Sequence, residues 1–213
     1  MEYSLEHTLI KIGVTGYIER YRDPGKFIEF CKECDRYNAC WACPPYNFDS
    51  ESYITPYTNA FILGTKITPD EKLRSRYDFN EHSNKKQVSN KQSKEITRLL
   101  ITDVRKLLDG ALLSLEQQYP DSRALFAGTC HLCPTGTCTR ITEKPCIYPE
   151  KIRPSLEALG FDIGKTASEL LGIELKWSSN GELPEYFVLV SGFFTNHNDI
   201  EIMLDTPIQT NRL

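Results

Sequence analysis

The sequence predicts an α+β fold: a small mixed sheet with one long helix, some short helices and two cysteine-rich metal-binding loops. Three observations carry this. Two dense apolar runs, "AFILGTKI" (60–67) and "YFVLVSGFF" (186–194), have the length and the β-branched and aromatic content of buried strands. Between them, Ile96, Leu100, Val104, Leu107, Leu108, Ala111, Leu112 and Leu115 recur at spacings of three and four, the period of a long amphipathic helix. All eight cysteines fall into two short stretches, and none lies elsewhere.

Taken in chain order, residues 1–30 mix apolar and charged side chains and are assigned no strand. "DPGKFIEF" (23–30) reads as a turn into a short helix. The first cysteine stretch then reads as a loop, because four ligands and two prolines suit irregular backbone. Strand 60–67 ends in the turn signal "TPDE" (68–71). The polar stretch "HSNKKQVSNKQSKE" (82–95) reads as a solvated loop leading into the long helix. It lacks the aromatic interleaving of a nucleic-acid surface. Gly110 weakens the helix locally, and "YPDS" (119–122) ends it. "RALFAG" (123–128) reads as a short strand delivering the chain into Cys130.

Further on, "RPSLEALG" (153–160) fits a short helix with Pro154 in its first turn and Gly160 past its end. "KTASELLG" (165–172) fits another, closed by Gly172. "IELKWS" (173–178) alternates apolar and polar residues as a strand does, and "SSNGELPE" (178–185) supplies a turn before the last apolar run. That makes about four strands. With no internal repeat and no clear linker, residues 1–213 are expected to form a single metal-binding domain.

Composition narrows the function classes. With 40% hydrophobic and 25% charged residues, the chain can bury a core without disulfide staples. A net charge of -4 gives no general attraction to nucleic acid or membrane. The start, "MEYSLEHTLIKIGV", has no basic stretch followed by a long apolar run, so a secretory signal is not expected. The longest apolar run, "FVLVSGFF", is far short of the roughly 20 residues that cross a bilayer. The expected location is the cytoplasm, where clustered thiols serve as metal ligands or redox groups rather than as disulfides.

The cysteines are spaced C-x2-C-x5-C-x2-C (Cys31, Cys34, Cys40, Cys43) and C-x2-C-x4-C-x7-C (Cys130, Cys133, Cys138, Cys146). A C-x2-C pair turns two thiolates toward one metal or one cluster face, and two pairs complete four sulfur ligands. Iron–sulfur is favoured by the compact spacing and by Pro44 directly after Cys43, although neither group has the bacterial ferredoxin spacing: Gly136 stands where its third cysteine would fall. Zinc is the structural alternative. A redox dithiol needs one such pair, not eight thiols. His131 reads as an exposed loop residue more readily than as a ligand. Tyr37, Trp41 and Tyr46 either shield a cluster or simply pack the loop. "GFDIGKT" (160–166) is one residue short of a phosphate loop and follows a helix signal, so its glycines read as helix punctuation. No catalytic triad or carboxylate pair has a persuasive context.

"CKECDRYNACWACPPYNFD", "AGTCHLCPTGTC", "KPCIYPEKIRPSLEALG", "GKTASELLGIELKW" and "PEYFVLVSGFF" together resemble an uncharacterised prokaryotic family described as predicted metal-binding proteins. The resemblance spans about residues 20–195. It implies a cysteine-ligated metal and no defined reaction. Cys31, Cys34 and Cys43 match the family's first motif, and Cys130, Cys133, Cys138 and Cys146 its second. Cys40 falls where a variable residue is expected, so it should matter less than Cys43. Gly136 falls where relatives carry another cysteine. Two tidy quartets, or three ligands of the first loop joined by one of the second, both fit this pattern.

The resulting expectation is a protein with one or two 4Fe–4S clusters and an electron-transfer or redox accessory role. Its expected partner is a redox protein, not nucleic acid or membrane. The alternative is a zinc-stabilised binding module without redox function.

Overall fold

The computed structural model describes residues 3–77, 90–176, 183–204 and 208–210. Strands β1 (Tyr3–Gly13), β2 (Asn59–Pro69), β3 (Arg123–Leu125), β4 (Phe187–Thr195) and β5 (Ile208–Thr210) form one sheet in the order β3-β4-β2-β1-β5. The first four pair antiparallel, and β5 pairs parallel with β1, so the sheet is mixed. The helices are α1 (Val14–Tyr21), α2 (Pro24–Lys32), α3 (Glu71–Tyr77), α4 (Asn90–Gln118) and the single turn α5 (Ile163–Lys165), which runs into a π-helical turn, Thr166–Leu170. The class is α+β, as expected. Most of 82–95 and of 178–185, and residues 177–178 of "IELKWS", lie outside the described residues.

Both faces of the sheet are covered. On β2 the side chains divide by parity: Phe61, Leu63 and Ile67 meet Val104, Leu108, Leu112 and Leu115 of α4, while Ala60 and Ile62 meet Tyr17, Leu156, Phe161 and Leu170 on the opposite face. β4 does the same with Leu189 and Phe193 against Val190 and Phe194. Strands covered on two sides need apolar residues at every position, so both read as continuous runs in the sequence.

Three expectations need correction. Residues 3–13 form β1, an eleven-residue strand paired along its whole length with β2. Its alternation changes phase: Leu5 and Leu9 pack toward α4, whereas Ile10 and Ile12 pack on the other face. A strand that exchanges its buried face midway loses the simple period of two. Conversely, Ile173–Lys176 is not a strand. Ile173 and Leu175 pack against the core as an extended connection, with the Ile173 amide donating to the Ala167 carbonyl at 2.8 Å. Burial of alternate residues there comes from packing, not from a ladder. The strands among the described residues therefore number five.

α1 buries Val14, Tyr17 and Tyr21. Tyr17 stacks on Phe161 at 4.5 Å, and its hydroxyl is 3.1 Å from the Thr166 hydroxyl. α2 follows at once: Asp23 caps it by accepting from the Lys26 amide at 2.9 Å, with Pro24 at its first position. The start of α2 is pinned to the C-terminal half of the chain. The Asp23 amide donates to the Gly160 carbonyl (2.9 Å), and the Asp162 amide donates to the Tyr21 carbonyl (2.8 Å). Gly160 has φ +90, and a Cβ there would stand 2.7 Å from the Pro24 Cα. Only glycine permits that approach.

Candidate metal centre

The end of α2 delivers the first thiol. Cys31 lies in its last turn rather than in a loop, a correction to the sequence reading. The chain then folds in tight turns. The Cys34 amide donates to the Cys31 carbonyl (3.0 Å), Tyr37 to Cys34 (2.9 Å), Cys43 to Cys40 (3.0 Å), and Asn38 back to Pro44 (2.9 Å). Asn38 takes a left-handed conformation with φ 53, and the Pro44–Pro45 bond is cis. Cys34 is exposed and Cys31 half-buried, but Cys40 and Cys43 are only 2% and 7% exposed.

β3 delivers the second loop. The Phe126 amide donates to the Pro154 carbonyl (3.0 Å), and the chain turns at Gly128 into Cys130. A 3-10 turn, Thr139–Thr142, starts directly after Cys138. The Tyr148 amide points at the Cys146 sulfur, 3.4 Å away. Gly136 has φ +78 in the turn closed by Pro134 and Thr137. A cysteine at that position would be strained.

The fold then brings the two loops together. Cys40, Cys130, Cys133, Cys138 and Cys146 line one narrow cavity with Arg36, Trp41 and Tyr148. Cys40 thus faces the second group although it comes from the first. Cys31 lines a different cleft, of about 510 Å³, with Tyr37, Tyr46 and Glu157. All eight thiols are free. Among the described residues no three Cys, His, Asp or Glu side chains meet closely enough to hold a single ion.

Charge is organised around Cys40. Thiol contacts from Cys130 and then Cys43 pull the Cys40 thiol well below the usual range, and Arg36 adds to this. The same contact with Cys40, followed by burial, pushes Cys43 and Cys130 up. Cys40, Cys43 and Cys130 pack together in one small cluster. Burial and the neighbouring Cys34 raise Cys31, and burial with Cys138 and Cys146 raises Cys133. Cysteine thiolates are soft donors suited to zinc or an iron–sulfur cluster, and the donor set fits either.

Two side chains join the loops. From the second loop, Arg140 donates through Nη1 to the carbonyls of Cys40 (2.9 Å) and Cys43 (2.6 Å), and through Nη2 to Asn38 Oδ1 (3.2 Å) and the Pro45 carbonyl. Its guanidinium lies 5.2 Å from the Trp41 ring. Trp41 Nε1 donates to the Lys144 carbonyl at 3.1 Å. Trp41 therefore ties the two loops as well as lining the cavity, and Tyr46 donates to the Ala42 carbonyl (2.8 Å) within its own loop. Arg140 escapes a reading of the sequence because its only local signal is its place between Cys138 and Cys146.

His131 is not an exposed loop residue. It is half-buried, with Nδ1 3.6 Å from Asp109 Oδ2 of α4. Burial pulls its pKa down to about 4, helped by Arg105 and Lys106, and burial pushes Asp109 up to about 7. The imidazole stands beside that carboxyl and shares a small cavity with Cys130.

Eight free thiols on two interlocked loops, set at one end of a covered sheet, define a cysteine-rich α+β protein with a soft-metal donor set. A family model described as "Predicted metal-binding protein (DUF2284)" matches residues 20–191, and the chain belongs to that family. No curated protein and no solved structure matches the chain. Among the described residues no helix is long and apolar enough to cross a membrane.

Proposed function

We propose that the cysteine loops hold one or two 4Fe–4S clusters and that the protein carries electrons for, or serves, a redox protein partner. The observation that supports this is the shared cavity lined by Cys40 from the first loop and Cys130, Cys133, Cys138 and Cys146 from the second. A single zinc gathers four sulfurs about 2.3 Å from one point. A cluster can likewise draw its thiolates from two loops, and the compact cysteine spacing with Pro44 directly after Cys43 favours it. The cavity is narrow, about 10 Å³. Trp41, Tyr148 and Ile152 in its wall would limit water around a bound centre, which tunes its potential.

The test is iron, zinc and acid-labile sulfide content per chain in protein purified without oxygen. Iron with matching sulfide is the expected result, and about four versus eight irons separates one cluster from two. Zinc without sulfide would replace this reading with a zinc-stabilised module and remove the redox role.

A further inference from the structure

The cleft of about 510 Å³ beside Cys31 shares no residue with the narrow five-thiol cavity. Its size is that of a small-molecule site, which runs to about 300–1,000 Å³. Three segments wall it: one side of α2, the stretch that leaves the first loop (44–50), and the 3-10 turn Glu157–Leu159 with Gly160. One side chain braces the last two. Arg22 donates through Nε to the Leu159 carbonyl (2.8 Å), through Nη2 to the Ser50 hydroxyl (2.8 Å) and through Nη1 to Glu51 Oε2 (3.0 Å). The Asp23 amide ties the start of α2 to Gly160, and the Tyr46 hydroxyl is fixed to the Ala42 carbonyl. Walls cross-tied in this way leave little ordering for a ligand to impose.

The lining selects by chemistry. Ile28, Tyr37, Pro44, Pro45, Tyr46 and Phe48 supply apolar and aromatic surface. Tyr46 and Phe48 stack at 4.6 Å, and Phe48 is still 39% exposed, so part of its ring is free for contact. Among the described residues, the lining includes the carboxyls of Asp49 and Glu157 and no lysine, arginine or histidine. Asp49 already accepts from the Ser52 amide (2.7 Å) and hydroxyl (2.6 Å). Glu157 differs: its Oε2 is closed off from solvent and, among the described residues, has no hydrogen-bond partner. An oxygen left in that state costs free energy until a donor reaches it. Burial by itself favours the protonated form of Glu157, and a cation brought alongside restores the charged one. A phosphate or carboxylate finds no countercharge in this lining. Aromatic faces beside a carboxyl recognise an organic ammonium, by cation–π contact and a charge-assisted hydrogen bond.

We infer that this cleft is a binding site for a small organic amine, with the ammonium on Glu157 and the apolar body against Tyr37, Tyr46 and Phe48. The inference does not rest on the reading of the cysteines as metal ligands. Cys31 stands in the same wall, so a bound amine would lie beside any metal that this thiol holds.

The experiment is calorimetric titration of the full chain, purified without oxygen, with three probes of one shape: benzylamine, benzyl alcohol and benzoate. Wild type is compared with Glu157→Gln, which keeps the side chain's shape and removes its charge, and with Ala158→Phe, which adds a ring to the cleft wall and leaves Glu157 in place. Wild type is expected to bind benzylamine about ten-fold or more tightly than benzyl alcohol, the scale of one charge-assisted hydrogen bond, and not to bind benzoate. Glu157→Gln should lose that preference while binding benzyl alcohol as wild type does. Ala158→Phe should lose both ligands, which places them in this cleft. Benzoate bound as tightly as benzylamine would overturn the inference, as would wild type that does not bind benzylamine. Glu157→Gln that keeps the preference would also overturn it, and so would benzylamine binding indifferent to Ala158→Phe. The contrast between benzylamine and benzoate is read on wild type alone, so the test stands even where a variant fails to fold.

Discussion

Arg140 reaches from the second cysteine loop to the first and holds the Cys43 carbonyl at 2.6 Å. With the same Nη1 it holds the Cys40 carbonyl, and with Nη2 it reaches Asn38 and Pro45. A planar fork can serve several acceptors at once, and an ammonium cannot keep that geometry. Arg140→Lys is therefore expected to lose most of what Arg140→Ala loses, on the order of 2 kcal/mol of stability in the metal-loaded protein. Urea unfolding of the three proteins checks this. A lysine variant with wild-type stability would show that the clamp is not directional.

Cys40 is ranked below Cys43 by the family resemblance, but the packing argues otherwise. Cys40 is the more buried of the two and is in thiol contact with Cys130 as well as Cys43. Cys40→Ser is expected to lower metal content at least as much as Cys43→Ser. Metal analysis of the two variants decides it, and a nearly full complement in Cys40→Ser would return Cys40 to the role of a packing residue.

Gly160 and Gly110 should respond in opposite directions to the same substitution. Gly160→Ala forces a side chain into a left-handed backbone, and its Cβ meets the Pro24 backbone at 2.7 Å. The cost should be at least about 2 kcal/mol, with reduced metal content because α2, which carries Cys31, is displaced. Gly110 lies inside α4 with nothing within 4 Å of an added Cβ, so Gly110→Ala should stabilise by about 0.5–1 kcal/mol. Thermal melts of both variants supply the comparison. A neutral Gly160→Ala would mean that α2 does not seat on this turn.

His7 provides a pH signature remote from the thiols. It is 2% exposed, its Nδ1 is 2.9 Å from the Thr65 hydroxyl, and burial lowers its pKa from 6.5. The unfolded chain therefore binds the proton more readily than the folded one. Stability from the neutral ring is fully present above pH 6.5 and is lost as the pH falls below that value toward the lowered folded pKa. Urea midpoints of wild type should fall on acidification more steeply than those of His7→Asn, which cannot take up that proton. Parallel curves for the two proteins would contradict the assignment.

Much of this fold could be read before it was seen. α4, β2 and β4 carry long patterns set by which faces are covered, and a periodicity of that length leaves little ambiguity. α2 was legible in "DPGKFIEF", whereas the helix read over 153–160 is only a 3-10 turn, Glu157–Leu159, that starts after Pro154, and the one read over 165–172 is α5 with its π-helical turn, closed before Gly172. β1 was hidden because its buried face changes between Leu9 and Ile10. Residues 173–176 misled for the opposite reason: alternate burial arose from packing without strand pairing.

Sequence by itself determined the chemistry of this protein: eight thiols, concentrated in two stretches, in a chain with enough apolar residues to fold around them. Tertiary structure decided which thiols meet. Cys40 and Cys130 lie 90 positions apart in the chain yet pack against each other in the fold. Spacing within one loop cannot encode a contact between two loops. That contact is fixed by the sheet that ends in the second loop and by the Gly160–Pro24 seat that aims α2, and with it the first loop, at the same place.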